Sequence, residues 1–500
     1  MISIHPAYGA SNPSLRALID LRSSILITIT AVLLFGCRKD EVFTSDPGAK
    51  LTLTEDTILF DTIFTTIGSV TKRFTVRNDN SQAVHVKVTL EGGTTSRFRI
   101  NVDGSAGTTF NNVEILGHDS IYIFVEITPN DNNPTNPFIF EDHILLTTNG
   151  NEQKVLLVAW GQDAHFFHPD HAGGGFPNYS IIPCGAHWIN DKPYVIYGYA
   201  VVDSLCTLII DAGVKVYFHG GAGLWIYRSG RIEALGAHDN RITFQSDRLE
   251  ATYSDLPGQW DRIWINEGPD TANRFEYVNI KNARIGIQCE TAPWHPELTT
   301  DGRKLTLNNV SIRNCSTAGI YSRNYRINST NLLVADCGQF CAALTGGGQY
   351  DFIHSTFANY WSFGVRQDPA FEITNSFTDI YGASHVGQID PSSFVNGIIY
   401  GNNTNEFKMD LDNSVPPTFI FRNFLFRTDQ ATNDNGHFPD QSSIYRNQDP
   451  GFADPSTGDY HIHIGAFAQD KGVVSNFIAL TDLDFVDRVF PPDLGCYEAH

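Results

Sequence analysis

Between Leu208 and Phe244 the chain reads LIIDAGVKVYFHGGAGLWIYRSGRIEALGAHDNRITF. Short strands with alternating apolar residues are broken by Gly or Asp turns. Leu208 and Ile210 face one side and Ile209 the other. Val216 with Phe218, Leu224 with Ile226, and Ile232 with Ala234 repeat the arrangement. The starts at 208, 216, 224 and 232 are 8 residues apart by subtraction. A strand of three to five residues cannot bury both of its faces alone. Recurrence at so short a step implies a chain that winds round a shared interior.

This pattern predicts a right-handed parallel β-helix over residues 178–448. Tyr194 to Val202 leads into it, and Gln259 to Ile265 begins a second set of windings. Phe275 to Ile287 (FEYVNIKNARIGI) sets a template of strand, Asn turn and short Gly-containing strand. The template returns at Val310 to Ile320, Leu332 to Ala342 and Phe357 to Val365. Its turn residues are Asn282, Asn314, Asp336 and Asn359, and the last three are 22 and 23 apart by subtraction. Asn and Asp tolerate left-handed backbone, so they suit the bend between strands. The longer step from 282 to 314 implies a loop over Glu290 to Lys304, carrying Trp294. Cys315 and Cys337 follow their turn residues and are expected to stack inward, with Tyr360 on the next rung. Their spacing permits a disulfide; buried free thiols are the preferred reading. Phe371 to Tyr381, Phe394 to Asn402 and Phe419 to Phe426 are the later, less regular windings.

The earlier part of the chain has a different pattern. Thr57 to Thr65, Lys72 to Arg77, Val84 to Leu90, Phe98 to Val102, Asn112 to Ile115, Ile121 to Thr128, His143 to Thr147 and Val155 to Trp160 are strand candidates. Turns fall at Asn78-Asp79-Asn80, Glu91-Gly92-Gly93, Asp103-Gly104 and Asn149-Gly150-Asn151. Several short strands without helical periodicity predict a β-sandwich over 51–163. Its order resembles the immunoglobulin-like modules of bacterial surface proteins. No candidate catalytic group clusters in it, so a spacer or packing role is expected, with partner binding as the alternative. The whole is therefore expected to be all-β: a sandwich followed by a β-helix.

Residues 164–177 read as a linker. His165, His168, Asp170 and His171 lie within seven residues there and raise the question of a metal. Pro169 and three glycines mark a loop without regular period, so no metal site is assigned. No other metal-ligand spacing occurs among the eight cysteines, and no cofactor is expected.

At the N-terminus, Arg16 and Arg22 precede the apolar run Ile25 to Phe35. That run is too short to span a bilayer but suits a signal-peptide core. It ends in Leu34-Phe35-Gly36-Cys37, which resembles a bacterial lipobox. The resemblance implies a signal peptide over 1–36, removed before Cys37, and acylation of Cys37. Two or three acyl chains give stable membrane anchoring. Arg38-Lys39-Asp40-Glu41 resembles the charged surface-export signal of Bacteroidetes lipoproteins. The implied location is the outer membrane, lipid-anchored and facing outward, with a periplasm-facing orientation as the alternative. Thr44 to Lys50 reads as the end of a tether over 37–50. The length of the leader places the expected start downstream of Met1.

The tail, 449–500, contains DPGFADPSTGDYHIHI, then QDKG at Gln469 to Gly472, Arg488, and DLGCYE at Asp493 to Glu498. It resembles the choice-of-anchor Q-type terminal segment of secreted bacterial right-handed β-helix proteins. Ala466-Phe467 stands where Ser-Pro is usual there, and Cys496 where Ala is usual. The resemblance implies a cap that blunts the exposed edge of the last winding.

Composition bounds function. A net charge of -21 argues against a nucleic-acid partner, which would need a basic footprint. Outward aromatics and arginines (Trp225, Tyr227, Arg313 and Arg323) suit a sugar-binding face. The β-helix resembles the pectate-lyase superfold, whose members often act on polysaccharides. A lyase would need carboxylates near Arg or Lys on neighbouring windings; Asp336 and Asp351 are available, with Arg313, Arg323 and Arg326 near in sequence. Asp336 is better explained as a turn residue, and Asp351 has no carboxylate neighbour one winding away. No nucleophile elbow, phosphate loop or zinc-protease motif appears, so no catalytic residue is assigned. The sequence reading is a lipid-anchored surface protein with a binding or structural role toward carbohydrate. A polysaccharide lyase or glycoside hydrolase is one alternative, a protein-binding adhesin another. Carboxylates converging with Arg or Lys in an outward groove would favour the enzyme.

Overall fold

A computed structural model describes residues 41–64, 69–128, 138–267, 272–290, 304–474 and 479–499. The expected signal peptide, Cys37 and most of the expected Glu290 to Lys304 loop lie outside the described residues. The described chain is all-β: strands with a few 3-10 turns and no α-helix. It divides into two compact units, with the break near Ala159–Trp160.

The first unit holds two five-stranded sheets. In one, Lys72–Arg77 runs antiparallel between Thr52–Leu53 and Ser120–Ile127, which in turn pairs with Phe98–Val102. In the other, Val84–Leu90 runs antiparallel to Thr109–Ile115 and Phe138–Thr148. The expected alternation is realised: Phe74, Val76, Val86, Val88, Ile123 and Val125 are buried. The Asn149-Gly150 and Asp103-Gly104 turns both have positive φ, as tight hairpins require. Residues 44–50, expected to be a free tether, are instead bonded to this unit. Asn149 Nδ2 donates to the Thr44 and Asp46 carbonyls at 2.9 and 3.0 Å, and Asn151 Nδ2 to those of Pro47 and Ala49 at 2.6 and 3.0 Å. Side-chain amides thus supply the backbone partners that a coil would take from water.

The second unit is organised by one 22-stranded sheet. Its pairings are parallel except for His171–Gly173 against Phe176–Ile181. Thr207–Ile210 pairs with Arg231–Leu235, Lys215–Phe218 with Ile242–Ser246, and Gly223–Ile226 with Trp260–Ile265. Each strand thus meets the third strand after it, so the eight-residue step is one third of a winding. Leu208 lies over Ile232, Val216 over Phe244 and Leu224 over Ile263. All six are fully buried in one continuous core. Parallel strands spaced at about 4.8 Å let like residues stack along that core.

Two columns of backbone bends organise the later windings. The anticipated one is present: Arg313 pairs with Ala335 and Ala335 with Ala358, which aligns Asn314, Asp336 and Asn359. Asn282, Asn314 and Asp336 take positive φ (67°, 54° and 55°), whereas Asn359 does not. Asn359 is buried and its Oδ1 accepts from the Cys337 N–H at 3.1 Å. The second column was not anticipated. Tyr277, Asn309, Asn331, His354, Asn396 and Asn423 all have positive φ, at aligned registers inside what read as continuous strands.

Three further expectations are corrected. Residues 164–177 are not a linker, because His165–Phe167 pairs in parallel with Tyr194–Ile196 and belongs to the first winding. Cys184 and Cys206, 22 residues apart, form a disulfide between early windings, whereas Cys315 and Cys337 are free and buried as expected. Tyr360 does not continue their stack. The chain leaves the winding after Asn359, and the Arg366–Glu406 ion pair closes that corner, with side chains 3% and 0% exposed. Arg366 Nη2 donates to the Asn359 carbonyl at 3.1 Å, while Tyr360 turns outward against Phe452 and Tyr460.

The last correction concerns the tail. Residues after 449 cover the flank of the windings, not the end. Phe452, Tyr460, Ile462, Leu483, Leu494 and Cys496 form a second core with Leu333, Ala335, Ala358, Ile398 and Leu425. The second column of bends holds the tail there. Asn331 Nδ2 donates to the Thr481 carbonyl at 2.9 Å, Asn396 Nδ2 to that of Val473 at 2.9 Å and Asn423 Nδ2 to that of Lys471 at 2.8 Å. His354, kept neutral by burial, lies between Gly495 O and Asn396 Nδ2. Arg488 and Glu498 of the tail motif pair at 3.0 Å in the same buried layer. At the end of the windings Phe438 is buried in the main core and stacks on Phe421.

Candidate functional site

The outward residues singled out by sequence separate into two places. Trp225 lies one winding from Trp264, with ring centroids 4.7 Å apart and planes 11° from parallel. Trp225 is 6% exposed and donates from Nε1 to Asn266 Oδ1 at 2.7 Å. Tyr227 meets its edge. Gln288 and Tyr321 continue this column. Arg323 pairs with Glu290 at 3.2 Å and lies over Phe377. Trp264 Nε1 donates to Glu290 Oε1 at 2.8 Å. Stacking along the winding axis covers one face of the Trp264 ring with Trp225 and sets Gln288 beyond the other, so no broad face is presented to a sugar. The ladder joins successive windings.

Arg313 and Asp336 lie elsewhere, on an open cleft of about 820 Å³ in the second unit. One wall is the bend column: Arg313, Asn314 and Asp336. A second is the segment that leaves the winding: Tyr360, Trp361 and Phe363. The tail supplies a third, from Asp454 to Gly458. Trp361 and Phe363 have ring centroids 5.2 Å apart, and Phe363 is 52% exposed. The helical-turn residues Pro455–Thr457 are capped by Asp454, which accepts from the Ser456 N–H at 3.0 Å.

The charged groups of the cleft are held in place. Tyr460 donates its hydroxyl hydrogen to Asp336 Oδ1, and Arg313 Nη2 lies 3.9 Å from Asp336 Oδ2. The same Arg313 nitrogen donates to the Gly458 carbonyl. Gly458 has φ 75°, a backbone conformation that favours glycine, and a Cβ there would displace the guanidinium. Burial pushes the Asp336 carboxyl up to about 6, against the pull of Tyr460 and Arg313. Desolvation of the charged form therefore outweighs both partners. Asp255 Oδ1 accepts from Asn314 Nδ2 at 3.2 Å, and Lys281 Nζ donates to the Ser254 carbonyl at 3.2 Å.

The sequence named Arg313 and Asp336, and they do meet. Asp351 does not join them: its neighbours one winding either way are Asn328 and Ser393, and Ser393 Oγ donates to it at 2.7 Å. Arg326 lies near Asp390 instead, at 3.6 Å. The three histidines of the first winding go to separate partners. His165 meets Asp191 at 3.0 Å, His168 stacks on Tyr197, and His171 meets Asp170 at 2.6 Å. Sequence reasoning missed Trp361, Phe363, Asp255 and Asp454. The first two lie in a segment misread as strand, and the others come from loops more than fifty residues from Arg313 in sequence. The exposed Trp-Ser-Phe run was the available signal.

Comparison with known proteins adds little. No family model and no curated protein matches the chain. Among solved structures, a family 123 glycoside hydrolase from Clostridium perfringens is 11% identical over 23% of this chain and 26% of its own length, with a TM-score of 0.17. The chain thus spans about a quarter of that enzyme. A PapD-like domain of human CEP192 is 13% identical over 26% of this chain and 93% of that one, also at 0.17. The periplasmic chaperone SfaE is 9% identical over 22% and 57%, again at 0.17. Values this low support no argument about fold or activity.

Proposed function

We propose that this chain is a lipid-anchored surface protein that binds carbohydrate in the Arg313–Asp336 cleft. The second unit is read as a right-handed parallel β-helix, and the first as an immunoglobulin-like spacer. Parallel pairing between successive windings, with each early strand from Phe176–Ile181 to Arg231–Leu235 meeting the third strand after it, supports the first reading, and two five-stranded sheets support the second. Acylation of Cys37 and export to the surface of a Bacteroidetes-like outer membrane rest on the lipobox and the charged residues after it. The tail is read as choice-of-anchor Q-type.

The observation that carries the binding reading is the cleft's composition. Trp361 and Phe363 offer apolar surface beside Asn314, Asn402, Ser456 and Thr457. A few convergent polar groups beside aromatic walls is the usual make-up of a small-ligand pocket. Sugar rings offer both apolar C–H faces and hydroxyls to such a wall. A glycoside hydrolase or lyase is the second reading, favoured by one observation: a carboxyl raised to about 6 beside an arginine in an open groove. Against it, each carboxylate is already engaged, Asp336 by Tyr460, Asp255 by Asn314 and Asp454 by its own turn. Glycan-array binding by wild type and Trp361→Ala, followed by assays for new reducing ends and unsaturated products, separates these readings. Binding lost in the variant, with no product, is expected. Turnover of a bound glycan would establish the enzyme, and binding indifferent to Trp361 would remove the cleft from the account.

A further inference from the structure

We infer that the cleft selects neutral glycans and rejects uronate-containing or sulfated ones; this rests on the carbohydrate reading above. Asp255, Asp336 and Asp454 contribute three carboxylates, and Lys281 and Arg313 two cations. Anion recognition needs a guanidinium fork or an ammonium that can turn toward the ligand. Neither cation is placed for this. Arg313 is committed to the Gly458 carbonyl, lies 3.9 Å from Asp336, and sits over the Tyr460 ring at 5.4 Å. The tail packs against its guanidinium so closely that residue 458 has no room for a Cβ. Lys281 is drawn to the Ser254 carbonyl.

The carboxylates are distributed differently. Asp255, on a turn, and Asp454, at the end of the strand Phe452–Asp454, stand at the cleft's rim, both exposed. Asp454 is held ionised, its carboxyl kept below the usual range by the Ser456 side chain. An incoming uronate or sulfate would meet fixed negative charge at the rim, while Arg313 and Lys281 are drawn toward backbone carbonyls, and like charges brought together cost binding energy. A neutral sugar meets acceptors for its hydroxyls and an aromatic wall for its C–H face. Affinity for it should therefore vary little with salt, because no net charge is exchanged.

The test uses the full chain and its Trp361→Ala variant, titrated with neutral polysaccharides (mannan, xylan, mixed-linkage β-glucan) and anionic ones (polygalacturonate, alginate, heparin). The readout is the Trp361-dependent part of binding. At least one neutral polymer is expected to bind, roughly tenfold or more tighter than every anionic one, with an affinity unchanged by added salt. Asp255→Asn should narrow that gap by raising the affinity of the anionic polymers. Trp361-dependent binding of an anionic polymer as tight as any neutral one would overturn the inference and leave the carbohydrate reading standing. Absence of Trp361-dependent binding to all six would overturn both.

Discussion

Asp336 carries a structural and an electrostatic burden at once. It occupies a left-handed bend, and its carboxyl is buried enough to hold a proton up to about pH 6, against 3.8 for an ordinary aspartate. Between those two values the native state binds a proton that the unfolded chain has released. The contribution of this group to stability should therefore fall as pH rises from about 4 to about 6 and level off above that. Asp336→Asn keeps an acceptor for the Tyr460 hydroxyl and removes the charge. Asn already occupies the same bend at 282 and 314 with similar φ. The variant is expected to match wild type near pH 4 and to exceed it by about 1–3 kcal/mol near neutrality. Urea unfolding across that range measures the difference; parallel pH profiles would refute it. At this scale the sequence was half legible. Asn and Asp at regular spacing announced one bend column, because few other residues tolerate that backbone. The other column stayed hidden, since Tyr277 and His354 interrupt its asparagines and the strand pattern runs straight through each single-residue bend.

Among elements, the windings that repeat closely were legible, and the departures were not. A burial alternation over three strands survives in sequence because each inward residue must be apolar. The Arg366–Glu406 pair interrupts that pattern with two charges, and only the fold shows that Arg366 seals the corner vacated after Asn359. The Cys184–Cys206 link was equally opaque, since seven cysteines remain after Cys37 and spacing alone does not choose among them. It fixes the first winding to the second and closes a 22-residue separation. Loop closure of that length constrains the unfolded chain by about 3 kcal/mol. Cys184→Ser with Cys206→Ser should lower the unfolding midpoint accordingly, in non-reducing conditions only. An identical midpoint with and without reductant in wild type would show that the bond does not form.

For the second unit as a whole, the tail decides how much of the winding surface meets water. Leu333, Ala335, Ala358, Ile398 and Leu425 are covered by it, so removing residues 449–500 should expose a continuous apolar strip. The expected outcome is dye binding to apolar surface, rapid proteolysis and loss of glycan binding together, even at temperatures where the full chain is folded. A truncated chain that resists protease and binds no dye would show the flank to be self-sufficient. The tail's residues were recognisable in sequence, but their placement was not: Asn331, Asn396 and Asn423 read as local turn formers, and nothing in a linear pattern tells that their amides reach backbone carbonyls far downstream.

The Tyr460 bond to Asp336 spans 124 residues of chain, and the Arg313 bond to Gly458 spans 145. A polypeptide threaded from its N-terminus lays down Arg313 and Asp336 long before their partners exist. Contacts of such separation form late, after the local windings have closed. The cleft should thus be completed last during folding, and a nascent molecule would lack its third wall.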